Sequence, residues 1–171
     1  MNGAMTIKIF TMGGTIDKIY FDDLSTYEVG EPQVAEILRE ARVHLDCEVE
    51  EVIRKDSLHM TEEDRLLLRR RIEANPHRRV LVTHGTDTMV ETARYLENLG
   101  DKVIVLTGSL TPARFKKSDA PFNVGCAIGA LQALEPGVYI AMSGRVLPAD
   151  RIAKNREAGR FEEAPGTTDH H

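Results

Sequence analysis

Cysteine is scarce in this chain. Only Cys47 and Cys126 occur in 171 residues, with no Cys-x-x-Cys pair and no histidine at a ligating spacing. That excludes a disulfide framework and a structural metal site, and reads as two free thiols in a reducing compartment. An excess of positive charge is also missing. The net charge is −5 and aromatics make up 5%, so no basic field interleaved with stacking rings is available and nucleic acid is not an expected partner. No apolar run approaches the length that spans a bilayer. Met1–Met5 leads straight into a strand pattern with neither a charged n-region nor an apolar h-region, which gives a cytoplasmic expectation with no membrane association. Internal repeats and low-complexity tracts are absent. What remains is 42% apolar and 29% charged, the balance of a globular domain with a core of its own.

Short, wholly apolar strand patterns at Val80–Thr83, Val103–Thr107 and Val138–Met142 alternate with helical ones. Strands of that kind are buried on both faces, so the expected fold is α/β: a single-domain three-layer α/β/α sandwich on a mostly parallel, flavodoxin-like sheet. Glu48–Arg54 is more polar and reads as a strand nearer an edge. Thr61-Glu62-Glu63-Asp64 reads as a capping-box variant opening a helix that Asn75-Pro76 ends. A helix from Val90 through Leu99 is expected to stop at Gly100, and another spans Phe122–Leu134. Arg145–Asp150 and Arg151–Asn155 are expected to form a hairpin around Pro148–Asp150. The domain is read as 1–162, with 163–171 a flexible tail ending in an Asp169-His170-His171 remnant outside the fold.

Two strand ends share one design. Thr6–Ile9 runs into Phe10-Thr11-Met12-Gly13-Gly14-Thr15-Ile16, and Val80–Val82 into Thr83-His84-Gly85-Thr86-Asp87-Thr88. Glycines there permit a tight turn with φ > 0, and the turn holds a threonine at the edge where open α/β sheets bind ligands. A hydroxyl so placed, beside backbone N–H groups, suits a nucleophile next to an oxyanion site. Each feature also has a plainer reading. Gly-Gly-Thr is a common turn, Asp87 a good helix N-cap, Ser57 a turn residue, Tyr27 a packing side chain and Lys154 a surface lysine. The long polar stretch from Gly13 to Gly30 reads as a lid without regular structure.

Taken together, Gly13-Gly14-Thr15-Ile16 and His84-Gly85-Thr86-Asp87-Thr88 resemble the bacterial-type L-asparaginases, amidohydrolases that use a threonine nucleophile to convert asparagine to aspartate and ammonia. The resemblance runs from Ile7 to about Phe161 and covers the family's N-terminal domain. It implies catalytic roles for Thr15, Tyr27, Thr86, Asp87 and Lys154, with Tyr27 set against Thr15 and Thr86, Lys154 and Asp87 forming a Thr-Lys-Asp triad. Substrate contacts are implied for Gly14, Ser57, Leu58, Thr86 and Asp87. Asp87 would hold the substrate ammonium and Ser57 its α-carboxylate, and the N–H groups of Gly14 and Thr86 would be the oxyanion donors. His84 shapes the turn in this reading, and no cofactor or metal is implied.

Two departures qualify the match. Leu58 stands where many members carry a polar residue, and the family's smaller C-terminal domain, which supplies an acidic residue to a neighbouring pocket, has no counterpart here. Three readings stay open: a minimal amidohydrolase for asparagine or a related small amide that dimerises to close its pocket, a non-catalytic amino-acid-binding or sensing domain, and a catalytic half that needs a separate C-terminal domain.

Overall fold

The computed structural model describes residues 4–22 and 25–165. The chain runs β1 (Thr6–Gly13), β2 (Lys18–Phe21), β3 (Thr26–Val29), α1 (Val34–Glu40), β4 (Asp46–Lys55), α2 (Glu62–Ala74), β5 (Arg79–Thr83), α3 (Met89–Tyr95), β6 (Val103–Thr107), α4 (Ala120–Ala133), β7 (Gly137–Met142), β8 (Arg145–Pro148), β9 (Ile152–Asn155) and β10 (Arg160–Glu163). Six strands make the central sheet in the order β4-β1-β5-β6-β7-β8. The first five are parallel and β8 is antiparallel.

Alternation along the strands sends side chains to two separate cores. Phe10, Met12, Val80, Val82, Ile104 and Leu106 meet Leu68 and Ile72 of α2 and Met89, Ala93 and Leu96 beyond them. Ile7, Ile9, Leu81, Val103 and Val105 meet Val34 and Ile37 of α1 and Val124, Ala127 and Leu131 of α4. These strands are therefore covered on both faces, and the expected three-layer sandwich is the fold. Taking the five parallel strands in chain order, the sheet reads 2-1-3-4-5. Its order reverses between β1 and β5, and such a switch point opens a crevice at the strands' C-terminal ends. Those ends are the two glycine–threonine motifs.

Several local expectations change. The segment from Gly13 to Gly30 is not an irregular lid: Thr15–Asp17 forms a 3-10 turn and β2 and β3 pair as an antiparallel hairpin, with Tyr20 opposite Tyr27. Period-two patterning is weak there because most of the hairpin's residues face solvent. β4 is an edge strand, as its polarity suggests. The Thr61–Asp64 capping box is present in both directions. α3 ends at Tyr95, short of Gly100, before the left-handed residues Asn98 (φ 63°) and Gly100 (φ 67°).

The expected hairpin around Pro148–Asp150 does not form. β8 turns back on β7 through Ser143 and Gly144, and β9 pairs with β10 instead. The turn signal at Pro148–Asp150 is spent on a 3-10 turn, Ala149–Arg151, that passes the chain from one sheet to the other. Glu163 pairs with Ile152, and Ala164 N–H donates to the Arg151 carbonyl. The hairpin thus takes in the first two residues of the segment read as a tail. Residues 166–171, with Asp169, His170 and His171, lie outside the described residues.

Candidate active site

At the switch point the two motifs touch. Gly14 adopts φ 90°, and a Cβ placed on it would lie 2.4 Å from Gly85 N and 2.5 Å from Gly85 Cα. A Cβ on Gly85 would in turn lie 2.6 Å from Ser57 Oγ. Gly14, Gly85 and the buried Ser57 are therefore stacked, with no room for side chains on the glycines. The threonines that follow the two glycines, Thr15 and Thr86, are brought to one crevice by that contact.

Gly14 N–H donates to the Lys55 carbonyl at 2.9 Å. The N–H expected to be an oxyanion donor is thus engaged by β4 in this structure. Among the described residues no acceptor engages the N–H groups of Thr15 or Thr86. A parallel strand ending beside a neighbour's carbonyl gives no signal in sequence, so the engagement of the Gly14 N–H was invisible there.

Lys154 comes from the other end of the chain. Its Nζ donates to Thr86 Oγ1 at 3.0 Å and to Asp87 Oδ1 at 2.8 Å. Ile152 and Phe161 bury themselves in the core beneath the β9–β10 hairpin, and Arg94 of α3 donates to the Ala149 and Ile152 carbonyls at its entry. With the hairpin pinned, the Lys154 side chain stays only 14% exposed while Asp87 keeps 39%. Asp87 does not cap α3. Thr88 occupies that position, its hydroxyl donating to the Ser57 carbonyl at 2.9 Å, so the plain N-cap reading of Asp87 fails and its carboxylate is turned to the lysine.

The other expected residues are less tightly gathered. Tyr27 lies on β3, 51% exposed, its ring against Tyr20 (centroids 5.1 Å apart) and Phe115 (6.2 Å). No hydrogen bond joins its hydroxyl to Thr15 among the described residues. Leu58 is exposed, and its N–H donates to Asp56 Oδ1 at 3.1 Å. No group of three or more potential metal ligands is found among the described residues.

One residue that the sequence did not single out stands at the base of the hairpin. Asp17 is 2% exposed, and its Oδ1 accepts the Gln33 N–H at 2.9 Å while Oδ2 is buried without a partner. Its backbone donates to Gly14 O and accepts from Gly30 N, closing the hairpin two residues from Thr15. Burial pushes its carboxyl up to about 7, against the hydrogen bond from Gln33 that favours the anion. The native state therefore keeps a proton between pH 4 and 7 that the unfolded chain has lost, and stability falls as pH rises through that window. Asp17→Asn, which carries no charge at any pH, is expected to gain on the parent by roughly 4 kcal/mol between pH 4 and pH 8. Urea melts at the two pH values check this. A constant difference across the range means that Asp17 is ionised throughout.

The fold and this crevice define an asparaginase-type α/β domain. The family model described as "Asparaginase, N-terminal" matches residues 6–162, and the chain belongs to that family. It is 31% identical over 159 residues to a protein of Haemophilus influenzae described as a probable periplasmic L-asparaginase, covering 86% of this chain and 46% of the relative. Among solved structures, the thermostable L-asparaginase from Thermococcus kodakarensis superposes with a TM-score of 0.81 at 25% identity, over 93% of this chain and 51% of that one. A probable cytoplasmic L-asparaginase from Campylobacter jejuni gives 0.73 at 29% identity, over 93% and 51%. The chain thus spans less than half the length of the curated relatives it matches.

Proposed function

We propose that this chain is a threonine amidohydrolase acting on L-asparagine or a related small amide. The observation that carries the proposal is Lys154 bridging Thr86 and Asp87 across the crevice where Gly14 meets Gly85. A domain that only senses an amino acid needs donors for its carboxylate and carbonyl, but has no use for a second hydroxyl tied to a lysine and an acid.

In the reaction, the Thr15 hydroxyl oxygen bonds to the amide carbon and the carbonyl electron pair moves onto oxygen, facing the Thr15 and Thr86 N–H groups. The hydroxyl proton leaves to a neighbouring base and returns to the amide nitrogen, which departs as ammonia. Water then cleaves the acyl-threonine ester, releasing the acid and restoring the hydroxyl. Lys154 is the proton-handling group, Asp87 orients it and meets the substrate ammonium, and Ser57 meets the α-carboxylate through its backbone or Oγ. Tyr27 serves Thr15 once the β2–β3 hairpin closes over the crevice.

A crevice open to water weakens each of these polar contacts, and Leu58, Tyr27 and Phe115 leave large apolar side chains exposed around it. A second copy of the chain is the proposed cover, because a two-fold pair uses one surface twice. Its approach to Tyr27, Asp87 or Lys154 goes with a broadened preference among amides in this reading. A cytoplasmic location belongs to this reading, supported by the free thiols of Cys47 and Cys126; no described helix is long and apolar enough to cross a membrane. The domain itself is taken as 1–162.

The test is ammonia release from asparagine, glutamine and N-substituted asparagines, with the oligomeric state measured by light scattering on the same sample. A dimer releasing ammonia from more than one amide is expected. A monomer with strong selectivity for asparagine overturns the dimer and the broadened preference together. No release from any amide, with binding retained, makes it a sensing domain or a half that requires another chain.

A further inference from the structure

Behind the Gly85–Thr86 peptide runs a buried line of hydrogen bonds that none of the roles above uses. Arg65 of α2 donates its Nε–H to Thr92 Oγ1 at 2.9 Å. Thr92 Oγ1 lies 2.8 Å from His84 Nε2, and His84 Nδ1 lies 2.7 Å from the Gly85 carbonyl oxygen. Thr92 and His84 are both 0% exposed.

The direction of every bond in this line follows from elementary bonding rules. A carbonyl oxygen only accepts, so Nδ1 carries the ring proton. Burial, with a smaller contribution from the positive charge of Arg65, brings the imidazole down to about 4 against the opposing bond to Gly85, so it is neutral near pH 7. A neutral ring with its proton on Nδ1 has a bare Nε2, to which the Thr92 hydroxyl donates. The Thr92 oxygen in turn takes the Arg65 N–H. All the bonds point the same way, from a guanidinium to the oxygen of one peptide group, and the N–H of that peptide group belongs to Thr86.

We propose that Arg65, Thr92 and His84 are positioning residues that orient and polarise the Gly85–Thr86 peptide, setting Thr86 N–H as a donor to the oxyanion formed at the amide carbon. A bond to the carbonyl fixes the peptide plane and draws electron density toward oxygen, which strengthens the N–H at the other end; aligned chains reinforce this by ~10–30% per bond. A donor fixed before charge develops stabilises the transition state without reorganising. With Gly14 N–H held by Lys55, the demand on Thr86 is correspondingly larger. This inference rests on the amidohydrolase reading.

The test is Thr92→Val, which keeps the side chain's shape and removes the hydroxyl, with Thr92→Ser as the conservative control. For Thr92→Val, kcat for ammonia release should fall about 10- to 100-fold, part of the loss seen when an oxyanion donor is removed altogether, with KM within about twofold. Thr92→Ser should return kcat to within about threefold of the parent. Two NMR readouts need no turnover: the His84 ring nitrogens should report the Nδ1–H tautomer, and the Thr86 amide proton should move upfield in Thr92→Val. If Thr92→Val does not fold, Arg65→Met carries the test from the half-buried end, with a kcat loss of about 3- to 10-fold and the same upfield shift. An Nε2–H tautomer, an unmoved Thr86 amide, or kcat equal to the parent's in the folded variant overturns the relay. A parent inactive on every amide sinks the amidohydrolase reading instead, and the tautomer and amide shift still decide whether the peptide is polarised.

Discussion

Thr15→Ala is expected to lower ammonia release by at least ~10³-fold while leaving the melting temperature within a few degrees of the parent, because removing a nucleophile leaves only binding and oxyanion stabilisation to act on bound water. Thr15 sits in the short 3-10 turn after the Gly13–Gly14 bend. Among the described residues its hydroxyl makes no hydrogen bond that the fold would lose, so truncation removes chemistry rather than structure. Single-turnover assays give the check: with the parent, a burst of ammonia and an acylated tryptic peptide containing Thr15 should both be seen, and with Thr15→Ala neither. Near-parental turnover by Thr15→Ala would transfer the nucleophile's role to Thr86, the other hydroxyl in the crevice and the one that touches Lys154.

Lys154→Met should cost ~10²- to 10⁴-fold in kcat, the span of general acid–base catalysis. The substitution keeps most of the alkyl length and so the packing of β9, while the amine that joins Thr86 to Asp87 disappears. Asp87 is exposed enough to be hydrated once it loses its partner, so the loss of stability should stay near that of a surface ion pair, about 1 kcal/mol or less. A variant that keeps the parent's rate would make Lys154 a structural tie between β9 and the Thr86 turn.

How far the sequence reaches depends on which interactions carry each feature. The sandwich was legible because β5, β6 and β7 carry continuous apolar runs, Val80–Val82, Val103–Leu106 and Val138–Met142, a pattern that burial on two faces explains. The α2 capping box was legible because its bonds join residues three apart. Candidate residues could be named from the sequence where a motif is local, as at Thr15, Thr86 and Asp87, and Lys154 only through resemblance, since nothing in Arg151–Asn155 signals its contacts with Thr86 and Asp87. The β2–β3 hairpin was missed because its faces are both largely solvated and period two carries no signal there. The Pro148–Asp150 turn was read correctly as a break and wrongly as a hairpin, because local turn chemistry says where a chain bends and nothing about which strand it bends toward. Asp17 and the engagement of Gly14 N–H by Lys55 depend on packing between segments far apart in sequence, and propensities are blind to those.

The contact between Gly14 and Gly85 also governs when the crevice comes into being as the chain folds. These two residues lie just beyond the parallel strands β1 and β5, whose pairing closes a long loop containing α1, β4 and α2, and parallel pairings of that separation form slowly because loop entropy is lost before contacts return it. Helices and the β2–β3 hairpin, whose bonds are short-range, need not wait for it. During refolding, helical circular dichroism should therefore recover first. Hydrolytic competence should trail behind, appearing only as β1 docks along β5 and the two bends close on each other.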